Sequence, residues 1–354
     1  MAPNLIIDKG ALLHNLALMK RLTRENGISM SLVTKGLVGH GGLVRLLVEN
    51  GAGSICEAHI KNLIGFSDIP AEKWLIRSPL ISEADDVVRY SDVSLVSESS
   101  VLERLSEAAL RQGRKYKVVI MLELGELREG CMPEELVPLC ESCLRLPGLE
   151  LHGVGANLSC ISEIVPDEKN MAALVGNARE AERALGTRLP LISGGSSSSV
   201  KMLIEGRLPP EVNHLRLGEA ILLGNIVCYD EPYEGARTDA FTLSAEIIEV
   251  KEKPSMPWGE RAPGLIPVRE DPSLEDRGLR RRALVAVGKQ DISSKYLSPL
   301  DPGIEILGDT SDCLITDVTD SEALYRPGGE IRFRLKYNGV VSAMASSYIE
   351  KTVI

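Results

Sequence analysis

At 354 residues the chain is too long for one ordinary core, which points to a large domain with a smaller companion. With 44% hydrophobic and 25% charged residues it has the composition of a water-soluble globular enzyme. A net charge of −10 argues against nucleic-acid or anionic-membrane partners, which want a basic face, and can concentrate a cationic substrate.

The opening MAPNLIID has no signal-peptide pattern, and no apolar run reaches membrane length. Residues 4–7 (NLII) read as a short strand. Asp8 is placed to cap a following helix with Leu12, Leu13, Leu16 and Met19 on one side. A unit then repeats. Apolar strand runs lie at 30–33, 53–56, 74–76, 93–96, 117–122, 149–154, 189–192 and 213–217, with helical patterns between them. Gly51 is placed to end the helix from Gly41. Ser100 and Glu103 form a possible capping box, Pro133 opens a helix, and another runs from Asp167 to Gly186. Strand alternating with helix over about 220 residues predicts a parallel (β/α)8 barrel. An open doubly wound sheet is the alternative, and no GxGxxG follows the first strand to favour it.

After about residue 230 the texture changes. The stretch 240–250 alternates, and 283–287, 313–318, 330–337 and 340–345 also read as strands, with no long helical pattern. The expected division is therefore a barrel over 1–230 and a β-rich domain over 231–354. Residues 251–282, rich in Pro, Gly and charge, read as a long excursion or lid. Of the seven cysteines, Cys140 and Cys143 lie in a helical pattern as core residues. No second CxxC or His cluster completes a zinc site, so no metal is expected. The scattered, odd set suits a reducing, cytoplasmic setting.

Chemistry concentrates at the strand ends. Lys35 follows the first barrel run and is trailed by glycines at 36, 39, 41 and 42. A lysine there can form a Schiff base with pyridoxal phosphate or a carbonyl substrate; the plainer reading is a solvated lysine. Glu57, Ser78, Glu98, Glu123 with Arg128, Asn157, Ser193–Ser199 and Arg216 close the other strands. SGGSSSS (193–199) follows the seventh run and opens a helix, the usual phosphate slot of such barrels, beside the glycine turn Arg216-Leu217-Gly218-Glu219. Lysine at the first strand and phosphate cradle at the last two are neighbours in a closed barrel, a spacing that pyridoxal phosphate fits.

These segments resemble a known family. VTKGLVGHGG (33–42), LELGELREGC (122–131), GVGANLSC (153–160), SGGSSSS, LRLGEAILLG (215–224), VGKQD (287–291), GDTSD (308–312) and MASSY (344–348) are similar, in order, to the alanine-racemase-like, fold-type III pyridoxal-phosphate enzymes, and most to their ornithine racemase branch. The resemblance implies a barrel, a C-terminal β domain, and a head-to-tail homodimer whose sites borrow residues from the partner. It implies that Lys35 carries the cofactor and that Arg128 holds the substrate carboxylate. Arg216 would face the pyridine nitrogen. Ser193, Gly195, Ser196, Ser197, Ser198, Gly218, Glu219 and Tyr348 would surround the phosphate end. Lys289 and Asp312 would come from the partner subunit. Two departures bear on substrate: Lys289 stands where alanine racemases carry a catalytic tyrosine, and Asn157 where they set a histidine against the ring.

The expected reaction is interconversion of L- and D-ornithine, with Lys35 as base on one face and Lys289 on the other. Glu123, Glu126, Asp291 and Asp312 are the acceptors available for a distal ammonium. The plainer reading of Lys289 is an ion pair with Asp291 or Asp312. Racemisation of lysine, alanine or another amino acid, a pyridoxal-phosphate carrier without activity, and a metal-dependent lyase of the same fold group are the alternatives.

Overall fold

The computed structural model describes residues 2–229, 231–260 and 276–354. Lys9–Ala240 forms one compact unit, and the residues before Lys9 join Phe241–Ile354 in the other. The units divide after Ala240 where 230 was expected, and strand β1 (Asn4–Ile7) lies between two C-terminal strands.

In the first unit, eight parallel strands close into a barrel: β2 (Ser29–Val33), β3 (Ser54–Glu57), β4 (Glu72–Leu75), β5 (Val93–Val96), β6 (Tyr116–Met121), β7 (Leu149–Gly155), β8 (Leu191–Ser193) and β9 (His214–Leu217). Pairing of β2 with both β3 and β9 makes the closure. Each strand coincides with an expected run to within a few residues, because a strand buried on both faces is apolar without alternation. Helices α1 (Lys9–Glu25), α2 (Gly41–Glu49), α3 (Ile60–Gly65), α4 (Ala84–Tyr90), α5 (Ser99–Arg111), α6 (Pro133–Arg145), α7 (Glu168–Leu185), α8 (Val200–Ile204) and α9 (Glu219–Leu222) follow in turn. Val33, Cys56, Trp74, Val93, Leu95, Val119, Met121 and Leu191 form one buried cluster of strand residues. Cys140 and Cys143 are fully buried on α6, and burial pushes both thiols up to about 12, as inert core residues require.

Helix ends show where local chemistry decided and where it did not. Pro133 starts α6, and the Glu135 carboxylate accepts the Met132 N–H at 2.8 Å. Asp167 and Asn170 bond reciprocally at the start of α7, and Gly186 ends it in the left-handed region at φ 64°. The box expected at Ser100 and Glu103 does not form. The helix begins at Ser99 behind Glu98, so both residues lie inside it.

A hairpin of β10 (Asn225–Ile226) and β11 (Glu231–Pro232) completes the unit. The second unit is a sheet in the order β14 (Leu297–Pro299), β17 (Glu330–Leu335), β12 (Phe241–Pro254), β13 (Leu279–Val285), β16 (Leu314–Asp317), β15 (Glu305–Asp309). β1 pairs with β12 and with β18 (Glu350–Val353). The strand expected at 340–345 is instead part of helix α10 (Tyr337–Ala345), which buries Val340, Ala343 and Met344 at helical spacing. Of the excursion expected at 251–282, residues 251–254 extend β12 and 279–282 open β13, paired from Lys251 with Arg282 to Pro254 with Leu279. Residues 261–275 lie outside the described residues. Among the described residues no helix is long and apolar enough to cross a membrane.

Candidate active site

Barrel closure sets β8, β9 and β2 side by side, so their C-terminal loops share one mouth. Lys35 begins a single 3-10 turn (Lys35–Leu37) directly beyond β2, half-buried. Thr34 fixes where that turn starts. Its N–H donates to Cys56 O at 2.8 Å, and its hydroxyl reaches Cys56 O at 3.1 Å and Glu57 Oε2 at 3.2 Å. Glu57 is fully buried at the end of β3; burial raises its carboxyl, against the N–H of Ala58 and the Thr34 hydroxyl, which favour the anion. Beyond the turn, Val38 (φ 47°) and Gly39 (φ 80°) both take left-handed backbone. A Cβ on Gly39 would lie 2.8 Å from Asn62 Oδ1.

The serine loop follows β8. Ser193 and Ser197–Ser199 are buried. Ser197 Oγ accepts the N–H groups of Gly218 (3.0 Å) and Ala220 (3.2 Å), tying this loop to the turn after β9. Ser196 Oγ meets Ser198 Oγ at 3.2 Å, and Ser198 Oγ also donates to Leu158 O at 3.4 Å. Gly195 takes φ 108°, and a Cβ on Gly218 would press on Val33 Cβ at 3.0 Å. Arg216, 3% exposed, donates from Nη1 to Ser193 Oγ (2.5 Å) and from Nη2 to Ala156 O (2.8 Å). Burial lowers its pKa, yet a guanidinium keeps its charge. Among the described residues no carboxylate pairs with it.

Around the rim, two carboxylates serve the loops themselves. Glu123 accepts the N–H groups of Gly125, Leu127 and Arg128. Glu126, 1% exposed, accepts those of Ser159 (2.9 Å), Cys160 (2.5 Å), Ile161 and Ser162 (3.1 Å). Burial works to raise its pKa, and those N–H groups outweigh it and hold the carboxyl below its usual range. Both carboxylates are engaged by loop N–H groups, Glu123 by three and Glu126 by four. Arg128 is exposed and paired with its neighbour Glu129. Asn157 donates from Nδ2 to Cys160 Sγ at 2.9 Å.

The comparisons with known proteins follow the same geometry. Residues 7–225 match the family model described as alanine racemase, N-terminal domain. Over 355 aligned residues the chain is 37% identical to an ornithine racemase of Acetoanaerobium sticklandii, covering 100% of both. It is 32% identical to a lysine racemase of Thermotoga maritima, covering 99% of this chain and 98% of that one. A crystal structure of alanine racemase from Bartonella henselae with covalently bound pyridoxal phosphate has the same fold, at a TM-score of 0.75 and 15% identity with both chains fully covered. The chain belongs to the alanine racemase family. With that membership come amino-acid racemase activity and dependence on pyridoxal phosphate.

The barrel of this racemase suits that cofactor on its own evidence. A half-buried lysine stands at one strand end. A glycine-serine turn stands two strands away, and between them lies a buried cation with only neutral protein partners. Glu129 acts on that charge only at longer range, so Arg216 is suited to meet an electron-rich group at the mouth.

In the second unit, Lys289 is exposed, and its Nζ lies 3.4 Å from Asp309 Oδ1. This corrects the ion pair read with Asp291 or Asp312. Asp291 accepts the Ser346 hydroxyl at 2.7 Å, and Asp312 accepts those of Thr310 (3.1 Å) and Ser311 (3.3 Å). Burial works to raise the Asp309 carboxyl, but the Ser294 N–H and Lys289 hold it below the usual range. Gly288 is required here, since a Cβ would lie 2.5 Å from the Asp312 backbone. Tyr348 is 67% exposed, with its N–H on Ser346 Oγ. Sequence reasoning missed Asp309, whose motif was noticed but whose partner was not, and His214. The latter lies two residues before Arg216 on one strand and so shares its face, a signal available from strand period alone.

Proposed function

We propose that this racemase interconverts L- and D-ornithine. The observation that carries the reading is end-to-end similarity to an ornithine racemase, combined with lysine, serine loop and Arg216 at one barrel mouth. Lysine is the second reading, favoured by the Thermotoga maritima relative. Lys35 would hold pyridoxal phosphate, which would supply an electron sink that acidifies the substrate's α-proton. Ser196, Ser197 and Ser198, with the backbone of Gly195, Gly218 and Glu219, would hold the phosphate, as would Tyr348. Arg216 would lend its charge to the ring, and Asn157 would stand beside it. Arg128 turns from Glu129 to the substrate carboxylate.

Two bases are needed, one on each face. Lys35 Nζ serves one face, and the partner subunit's Lys289 serves the other through its own Nζ. Asp312 and Asp291 take the distal ammonium, so the working unit is a head-to-tail homodimer. The test is incubation with L-ornithine in D2O, followed by optical rotation and α-deuterium uptake. Ornithine should lose rotation with deuterium incorporation, faster than lysine, and Lys35→Ala should abolish both. Turnover of lysine but not ornithine would overturn the substrate assignment.

A further inference from the structure

His214 stands inside the barrel and takes no part in the scheme above. Its ring is held by two hydroxyls: Nδ1 lies 2.9 Å from Ser193 Oγ, and Nε2 lies 2.9 Å from Ser31 Oγ. Ser31 Oγ is in turn 2.7 Å from Ser54 Oγ, and Ser54 Oγ reaches Met30 O at 3.4 Å. Ser193, His214, Ser31 and Arg216 are each at most 3% exposed.

Donor chemistry gives this chain one direction. Arginine can only donate, so Ser193 Oγ accepts from Arg216 Nη1. The single hydroxyl proton of Ser193 then goes to His214 Nδ1, which must accept. The ring proton is therefore on Nε2 and goes to Ser31, whose proton goes to Ser54, whose proton goes to Met30 O. In the opposite direction Ser193 would receive two N–H groups and bury its own proton unpaired, a penalised arrangement. The ring is also clamped sideways, stacked on Trp74 at 4.9 Å between centroids and 13° between planes.

We propose that His214 is a positioning residue for Arg216: the chain from Ser193 through His214 to Ser31 and Ser54 fixes the guanidinium and locks His214 as the neutral Nε2–H tautomer. This rests on the placing of Arg216 against the cofactor ring in the proposed function. Neutral partners have a chemical use there. A carboxylate would neutralise the guanidinium, whereas a serine hydroxyl and a carbonyl leave its whole charge for the group at the mouth. The charged and titratable groups around His214 are Arg216 on its own strand, His152 on β7, Cys56 on β3, and the pair Glu72 with Lys117 beneath Trp74. Burial, then Arg216, then His152 push the His214 ring down to about 3, in keeping with a ring that stays neutral.

The test is nitrogen-15 NMR of histidine-labelled holoenzyme from about pH 5.5 to 9, with His214 assigned by the signal missing in His214→Gln. His214 should show a bare Nδ1 and a protonated Nε2 throughout. A His214 signal that titrates in this range, or that carries its proton on Nδ1, overturns the proposal. A second arm reads Arg216. Ser193→Ala removes one hydrogen bond to a charged group and should weaken pyridoxal phosphate binding about tenfold and move its visible band, with Ser193→Thr restoring both. An unchanged band and affinity in folded Ser193→Ala would also overturn it. Both readouts need no turnover, so they fail separately from the assignment of substrate.

Discussion

At Glu126 the rim of the barrel is organised by one carboxylate. Four consecutive N–H groups from residues 159–162 converge on it, and the loop carrying Asn157 is thereby tied to the loop carrying Arg128. Because its folded-state pKa lies below the ordinary value, its contribution is present above that value and drains away as pH falls. Glu126→Gln should cost about 2 kcal/mol in urea unfolding at neutral pH, with less of a penalty in acid. His214 works in the same sense through a base. Its folded pKa of about 3 lies below the unfolded value, so its contribution is full above about pH 6.5 and lost towards 3. Going from about pH 7.5 to 5, the native chain should lose about 2 kcal/mol more than His214→Asn, read from paired urea titrations. Strand period puts His214 on the face of Arg216, but nothing in the sequence announces the partners of either residue. The partners of Glu126 are 33 or more residues away, and the hydroxyls on His214 come from β2 and β8.

Elements were legible where one signal sufficed. The eight barrel runs could be read because each is buried on both faces, and α7 because Asp167 and Gly186 mark its ends. Asp167→Ala should destabilise by about 1 kcal/mol, and so should Gly186→Ala, which forces an alanine into left-handed backbone; chemical denaturation of each variant measures it. Where signals competed, reading from sequence failed. The run at 340–345 is short and apolar, and such a run suits a strand as well as one face of a helix; packing of Val340, Ala343 and Met344 decided for α10. Ser100 and Glu103 had the spacing of a box, but the helix starts two residues too early to use it. Of the site, Lys35, the serine loop and Arg216 were legible because strand order in a barrel fixes loop order at its mouth. The partner of Lys289 was not, because Asp291, Asp309 and Asp312 are equally plausible acceptors by sequence.

For the molecule as a whole, the proposed shared site makes a strict demand. Lys35→Ala and Lys289→Ala chains, each inactive alone, should recover up to about half of native activity per mixed dimer, since one of two sites is intact. Dissociation and remixing followed by the D2O assay measures this, and absence of any recovery argues for a self-contained site. The placing of β1 acts on another timescale. That strand is synthesised well before its neighbours β12 and β18, and β18 ends at Val353. At ordinary rates of synthesis the strand waits on the order of half a minute for its second partner. Until β12 is made Asn4–Ile7 has no partner strand, and until β18 is made it keeps one open edge. A strand made early is thus among the last to be completed, and a ribosome stalled before β18 would display a segment suited to chaperone capture.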